Sequence, residues 1–124
     1  MADIHIKPSK NTPRIDFYSN GNLILTGSVY SENAKELFDP IISWVVNLET
    51  EEVNFDLKID YINTACAKKL FELLQELARN SHIKKVNVKW FYQKGDEDGL
   101  ETGQILSESI TRLNFKFVEY ENPV

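Results

Sequence analysis

The sequence predicts an α/β domain in which helices cover mainly one face of a mixed β-sheet. Apolar and polar residues alternate along residues 53–61 and again along 84–92, which is the period of a strand with one buried face. Stretches with a helical period precede, separate and follow these strands, so strands and helices alternate along the chain. Because both strands have a mostly polar face, we expect the helices to cover only the other face.

Length and composition set limits on the class of protein. The chain has 124 residues, and we expect residues 1–124 to form a single domain. Its net charge is −5 and its Lys and Arg residues are scattered, which argues against a nucleic-acid partner. The one cysteine, Cys66, excludes an internal disulfide and a multi-thiolate zinc site. Without a signal-like N-terminus or a membrane-length apolar run, we expect a cytoplasmic protein with no membrane insertion.

The first half of the chain is predicted to contain a hairpin and a helix. Pro8 and Pro13 limit residues 1–13 to a short edge strand at most. Apolar runs at 14–18 and 22–27 flank Ser19-Asn20-Gly21, and an Asn-Gly step in that position predicts a β-hairpin. An apolar helical face follows, with Ser31 or Asn33 as the cap; its residues are Leu37, Phe38, Ile41, Ile42, Val45 and Leu48. Pro40 is expected to kink this helix, or to restart it with Asp39 as a new cap.

The centre of the chain is a strand that passes almost directly into a helix. After the strand at 53–61 the period changes, and one helical stripe contains Cys66, Leu70, Leu73 and Leu77. Either Asn63 or Thr64 can cap this helix by accepting a backbone N–H bond. A hydroxyl group there lies where free N–H groups and the helix dipole favour an added anion. Thr64 is therefore the residue of chemical interest, although a cap alone would also explain it.

The C-terminal half is predicted to add a strand at 84–92, a weaker helix at 95–109 and a last strand at 113–120. Gly99 and Gly103 each cost this helix about 1 kcal/mol relative to Ala. Its first turn is acidic, which complements the helix dipole; the residues are Asp96, Glu97 and Asp98. The tail after the last strand is expected to fray.

Few residues suggest catalysis or metal binding. A thiol near a helix N-terminus can be reactive, but Cys66 matches the buried stripe. The acidic residues of 96–101 lack the spaced ligands of a calcium loop, and His5 and His82 have no second ligand at metal spacing. The sequence contains no P-loop, dinucleotide fingerprint, nucleophile elbow or HExxH motif. We therefore expect no catalytic residue, no metal site and no cofactor.

Three segments carry the motifs of one known family in the same order and spacing. GSVYSENAKELFDPIISWV resembles a G-x-x-Y-x-E-N segment that leads into an F-x-P-I-x-x-W helix. FDLKIDYINTACAKKLFELLQEL resembles a strand, an N-T-S-S motif and a helix, and VKWFYQKGDEDGLETGQ resembles W-Y-Y followed by D-E-D-x-x-E-x-G. Together the segments span nearly the whole chain. The family they resemble is that of the SiaC-type biofilm-regulation phosphoproteins.

This resemblance implies a STAS-like fold, similar to bacterial anti-anti-sigma factors, and a function in partner switching. In the family, the unmodified protein binds and activates a diguanylate cyclase in cyclic-di-GMP signalling. A protein kinase phosphorylates the threonine of the N-T-S-S motif, and a metal-dependent phosphatase restores it. By position that threonine is Thr64; the two serines are replaced here by Ala65 and Cys66, so Thr64 is the only hydroxyl group of the motif.

The resemblance therefore predicts a non-enzymatic regulator that phosphorylation at Thr64 switches off. The expected partner-binding residues are Asn63, Thr64, Ala65 and Lys68. Two alternatives remain open. An anti-anti-sigma factor that binds an anti-sigma kinase would share the fold, but those proteins carry Asp-Ser where this chain has Asn63-Thr64. An unrecognised enzyme would need a cleft lined by ionisable groups with perturbed pKa values.

Overall fold

The computed structural model describes residues 1–121, which form six strands and three helices in the predicted alternation. The strands are β1 (Ile4–Ile6), β2 (Arg14–Phe17), β3 (Asn22–Val29), β4 (Glu52–Ile62), β5 (Lys85–Gln93) and β6 (Asn114–Tyr120). The helices are α1 (Ala34–Val46), α2 (Thr64–Arg79) and α3 (Glu97–Ser109). Within the described residues, none of these helices combines the length and apolar character needed to cross a membrane. The predicted fraying concerns residues 121–124, of which 122–124 lie outside the described residues.

The six strands form one mixed sheet in chain order, from β1 at one edge to β6 at the other. Strand β2 pairs antiparallel with both β1 and β3, and the strands from β3 to β6 pair parallel with one another, as the alternation of strands and helices predicts. The predicted hairpin joins β2 to β3. Gly21 in its turn has a φ of +99°, and a Cβ there would collide with the backbone oxygen of Glu52, so this position requires glycine.

The core lies on one face of the sheet, under the three helices. Two rows of buried side chains run across the strands: Phe17, Leu23, Phe55 and Val88 in one row, and Ile15, Leu25, Leu57 and Trp90 in the next. Phe17 packs against Trp44 of α1, and α1 packs against α2. The opposite face carries polar rows such as Asn22, Asn54, Asn87 and Asn114. The prediction of helices on one face is therefore confirmed.

Helix α1 runs through Pro40 without a restart, so the predicted new cap at Asp39 is wrong. Asn33 is the actual cap, and its side chain accepts a bond from the backbone N–H of Glu36. The helix tolerates the missing backbone N–H donor of Pro40 because its apolar face is buried on both sides of the proline. The buried residues include Phe38, Ile41, Ile42 and Val45. Asp39 binds Lys69 of α2 instead, with 2.7 Å between Oδ1 and Nζ.

The alternation predicted for β4 fails at its end. Gly27 of β3 pairs with Ile59 and Ser28 pairs with Tyr61, which leaves Asp60 as an extra, unpaired residue in β4. An extra residue of this kind is a β-bulge, and it reverses which face the following side chains occupy. Ile62 therefore packs against the core, whereas Tyr61 is 58% exposed instead of buried.

Candidate functional site

The candidate site lies where β4 ends and α2 begins. Asn63 is the cap of α2, and its Oδ1 accepts a hydrogen bond of 2.8 Å from the backbone N–H of Cys66. Of the two capping residues that the sequence allowed, the structure therefore selects Asn63. Thr64 is the first helical residue and its side chain is exposed. Because Asn63 provides the cap, capping alone does not explain the Thr64 hydroxyl group.

The surface around Thr64 can accept negative charge. The backbone N–H groups of Thr64 and Ala65 lie in the first turn, where helical N–H groups have no partner within the helix. The first turn of α2 contains no acidic residue. Lys68 is exposed one helical turn after Thr64, on the same side of the helix, and forms no ion pair within residues 1–121. The dipole, the free N–H groups and Lys68 together favour an anion on Thr64.

Three contacts hold this helix start against the end of β3. The side-chain amide of Asn63 donates to the carbonyl of Ser31 over 3.1 Å, and its backbone N–H donates to the carbonyl of Val29. The thiol of Cys66 also points to the Ser31 carbonyl, at 3.7 Å. The predicted partner-binding residues are thus brought together on a fixed helix start, where Thr64, Ala65 and Lys68 are exposed and Asn63 is half-buried.

The Cys66 thiol has the character of a core side chain. Its side chain is fully buried, in line with the apolar stripe predicted for α2. Burial raises the pKa of the Cys66 thiol, and the hydrogen bond to Ser31 only partly offsets that rise. A nucleophilic thiol needs a lowered pKa and access to solvent. The structure therefore favours the packing interpretation of Cys66 over the catalytic one.

An exposed aromatic pair lies next to this helix start. The rings of Tyr30 and Tyr61 are 5.2 Å apart between centroids, and their side chains are 41% and 58% exposed. Tyr30 follows β3 directly, and Tyr61 lies three residues before Thr64. Sequence periodicity missed this pair because it placed Tyr61 on the buried face.

The start of α3 lies at the same end of the sheet and is held by Trp90. Asp96 caps the helix by accepting a 2.9 Å bond from the N–H of Gly99, and Trp90 Nε1 donates to the Gly99 carbonyl over 3.0 Å. A Cβ on Gly103 would lie 2.6 Å from the Trp90 ring. Gly99 and Gly103, which weaken α3 as an isolated helix, therefore both lie against Trp90, and Gly103 lets the helix approach the Trp90 ring.

A cleft of about 310 Å³ separates the end of β4 from the start of α3. Aromatic rings and carboxylates line it together; they include Tyr61, Trp90 and Tyr92 on one hand and Asp60, Asp96 and Asp98 on the other. Burial raises the pKa of the nearby Tyr120, and the negative charges of Asp60 and Asp96 raise it further. The cleft beside α3 therefore carries a negative potential.

Asp16, outside the candidate site, is held by two neighbouring side chains. His5 Nδ1 lies 2.7 Å from Oδ1 of Asp16, and Arg14 Nε lies 2.6 Å from Oδ2. The hydrogen bond from His5 is the main cause of a lowered pKa for Asp16. Within residues 1–121, no group of three or more His, Cys, Asp or Glu side chains is placed to hold a metal ion.

Comparison with known proteins identifies one family. The sequence model described as "SiaC family regulatory phosphoprotein" matches residues 6–120. An uncharacterized protein of Pseudomonas aeruginosa strain UCBPP-PA14 is 30% identical over 117 residues, which covers 90% of this chain and 92% of that protein.

Solved structures of the same family have the same fold. The apo form of SiaC from Pseudomonas aeruginosa is similar with a TM-score of 0.77 and 28% identity, over 95% of this chain and 99% of that one. A chain in the crystal structure of the diguanylate cyclase SiaD in complex with its activator SiaC, from the same organism, gives a TM-score of 0.82 and 26% identity. That match covers 95% of this chain and 100% of the other.

Proposed function

The chain belongs to the SiaC family of regulatory phosphoproteins, and on that basis we propose that it binds and activates a diguanylate cyclase while Thr64 is unmodified. Phosphorylation of Thr64 switches this binding off. A protein kinase transfers the phosphoryl group to Thr64 Oγ1, and a metal-dependent phosphatase removes it by hydrolysis. The chain itself performs no chemistry, because its role is to present one surface in two charge states.

The observation that carries this proposal is the position of Thr64. Its side chain is exposed at the first position of α2, next to a cap that another residue provides. A kinase can reach such a hydroxyl group, and a docked partner can cover it. The related SiaC of Pseudomonas aeruginosa is described as the activator of SiaD in their complex, which supports a diguanylate cyclase as the partner.

The proposed switch works through charge rather than through unfolding. A phosphate group adds about −1.5 to −2 charges at neutral pH. Within the free chain, the N–H groups of the first turn, the helix dipole and Lys68 can all stabilise that charge. Under a closely packed partner the same charge would lose its hydrating water without gaining a cationic group that pairs with it. If this costs about 3 kcal/mol, affinity falls by more than about a hundredfold.

A pair of Thr64 variants tests the proposal. Each diguanylate cyclase encoded in the genome that carries this gene is purified and titrated with the wild-type chain, Thr64→Ala and Thr64→Glu. We expect one cyclase to bind the wild type and Thr64→Ala with similar affinity, and to produce more cyclic-di-GMP from GTP in their presence. We expect Thr64→Glu to bind it at least about a hundredfold more weakly, because Glu carries a negative charge to the interface.

Thermal unfolding provides the control for folding. Glu is favourable in the first turn of a helix, so Thr64→Glu should unfold at the same temperature as the wild type or slightly above it. If no cyclase binds the wild-type chain, the partner is wrong. If Thr64→Ala and Thr64→Glu bind one cyclase equally, the switch at Thr64 is wrong.

The anti-anti-sigma alternative is tested on the same material. The family match, together with the complex of the related SiaC with the diguanylate cyclase SiaD, favours the cyclase over an anti-sigma kinase. Capture of an anti-sigma kinase by the wild-type chain, with none of the cyclases bound, would reverse that preference.

A further inference from the structure

The bulge in β4 gives Tyr61 an outward position that the strand alone would not give it. With Asp60 as an extra residue, Tyr61 leaves the buried face and packs on Tyr30 at the surface. Exposed tyrosine pairs supply a large contact area at a low entropic cost, and aromatic residues are enriched among the strongest contributors to protein interfaces. The pair lies beside Thr64 along the chain, so a partner that covers Thr64 would also meet these two rings.

The cleft behind Tyr61 is suited to a cation. Three carboxylates line it, from Asp60, Asp96 and Asp98, and none of them forms an ion pair within residues 1–121. Its remaining walls include the rings of Tyr61, Trp90 and Tyr92. Aromatic faces attract ammonium and guanidinium groups, and carboxylates supply the matching charge. An acidic group would be repelled in the same place, and a neutral group would leave the carboxylates without an ion pair.

The chain places one of its own cations at the rim of this region. Lys58 Nζ lies 4.3 Å from the centre of the Tyr120 ring, in a neighbouring hollow that shares Ile59, Asp60 and Asp96 with the cleft. The combination of a ring and nearby carboxylates therefore already holds an ammonium group there. The cleft itself, on the other side of Asp60, has the same chemistry but no cation from the described residues.

We propose that the partner covering Thr64 inserts a lysine or arginine side chain into this cleft, while Tyr30 and Tyr61 pack under the docked surface. The inference rests on the proposed function and names the chemistry of the partner's contact. A basic side chain fits better than a bound metal ion, because the carboxylates do not converge as a metal-ligand set within residues 1–121. The occupant is thus a positively charged segment of the diguanylate cyclase.

Charge-matched double variants test this contact. In the first, Asp60→Asn is combined with Asp98→Asn, which removes two negative charges from the cleft. In the matched control, Glu97→Gln is combined with Glu101→Gln, which removes two charges from the same part of the chain but outside the cleft lining. Asp96 is left unchanged because it caps α3. Each variant is titrated with the cyclase that binds the wild type, at low and at high salt.

We expect the cleft variant to bind about thirtyfold more weakly, which is roughly 2 kcal/mol at about 1.4 kcal/mol per tenfold change, and to lose part of the salt dependence. The control should change affinity by less than about threefold, since rim charges contribute little. Equal losses in both variants would mean a long-range field without an inserted side chain and would overturn the proposal. Unchanged binding by the cleft variant would also overturn it.

Tyr61→Ala and Tyr61→Phe give an independent readout. Because Tyr61 is mostly exposed, its removal should leave the unfolding temperature close to that of the wild type. We expect Tyr61→Ala to weaken cyclase binding by about tenfold or more and Tyr61→Phe to retain most of it, since the ring makes the contact. If the wild type binds a cyclase and Tyr61→Ala binds equally well, the docking surface is wrong while the switch at Thr64 stands.

Discussion

Helices α2 and α3 start at the same end of the sheet, after the parallel strands β4 and β5, but the first turn of α2 is uncharged whereas that of α3 is acidic. The first turn of α2 contains no acid, is capped by the neutral Asn63 and is followed by Lys68, which forms no ion pair within residues 1–121. The first turn of α3 is capped by Asp96 and contains Glu97 and Asp98. One helix start is therefore open to an added anion, whereas the other already holds its negative charge.

This difference would allow a single phosphorylation to act as the proposed switch. A phosphate at the start of α3 would meet three acidic side chains, but at the start of α2 it meets N–H groups and a lysine. The same difference separates two kinds of contact for a partner. In the proposed complex, the start of α2 is uncharged where the partner covers it, and the cleft beside α3 supplies the negative charge for the partner's basic side chain.

The largest effect on stability is expected from Gly103→Ala. The added Cβ would lie 2.6 Å from the Trp90 ring, and Trp90 is only 3% exposed, so the ring has little room to move. We expect a loss of about 2 kcal/mol in the free energy of unfolding, after the gain in helix propensity is included. Denaturant titration measures this, with Gln104→Ala at the exposed neighbouring position as the control. Equal stability of both variants would show that Trp90 does not fix the position of α3.

An intermediate effect is expected from Asn63→Ala at the start of α2. This substitution removes the cap on Cys66 N–H and the bond to the Ser31 carbonyl, for a loss of about 1.5 kcal/mol. Asn63→Asp keeps an oxygen that can cap the helix and should lose less. Chemical denaturation compares the two variants. Equal losses would show that the contact with Ser31, rather than the cap, stabilises this helix start.

The smallest effects should have opposite signs at the two helix starts. No acidic residue offsets the positive end of the α2 dipole, so the negative charge of Thr64→Glu should raise the free energy of unfolding by about 0.5 kcal/mol. Glu97→Gln removes a charge that already compensates the dipole of α3 and should lower it by a similar amount. Both changes should shrink at high salt. If both substitutions shift stability in the same direction, the electrostatic contrast between the helix starts is incorrect.

Much of the fold could be predicted because the relevant signals are local. The Asn20-Gly21 step fixed the hairpin, the alternation along β4 and β5 gave their buried faces, and the change of period after Tyr61 marked the start of α2. The exposed position of Thr64 also follows from local pattern, because it precedes the buried stripe that begins at Cys66.

The remaining features depend on contacts between distant parts of the chain. The bulge at Asp60 arises from the pairing of β4 with Gly27 and Ser28, so the sequence of β4 alone cannot reveal that Tyr61 turns outward. Propensity counted Gly103 as a defect, although the approach of α3 to Trp90 requires a glycine there. The cleft combines residues from β4, β5 and α3, and a linear sequence does not show that these meet.

The central claim is tested most directly by titrating the cyclase with two forms of the chain, unmodified and phosphorylated only at Thr64. Genetic incorporation of phosphothreonine supplies the second form without a kinase, and thermal unfolding of both forms is measured in parallel. We expect the phosphorylated chain to unfold at the same or a higher temperature and to bind at least about a hundredfold more weakly. Equal affinity of the two forms, or a loss of binding that merely accompanies unfolding, would contradict a charge switch at the start of α2.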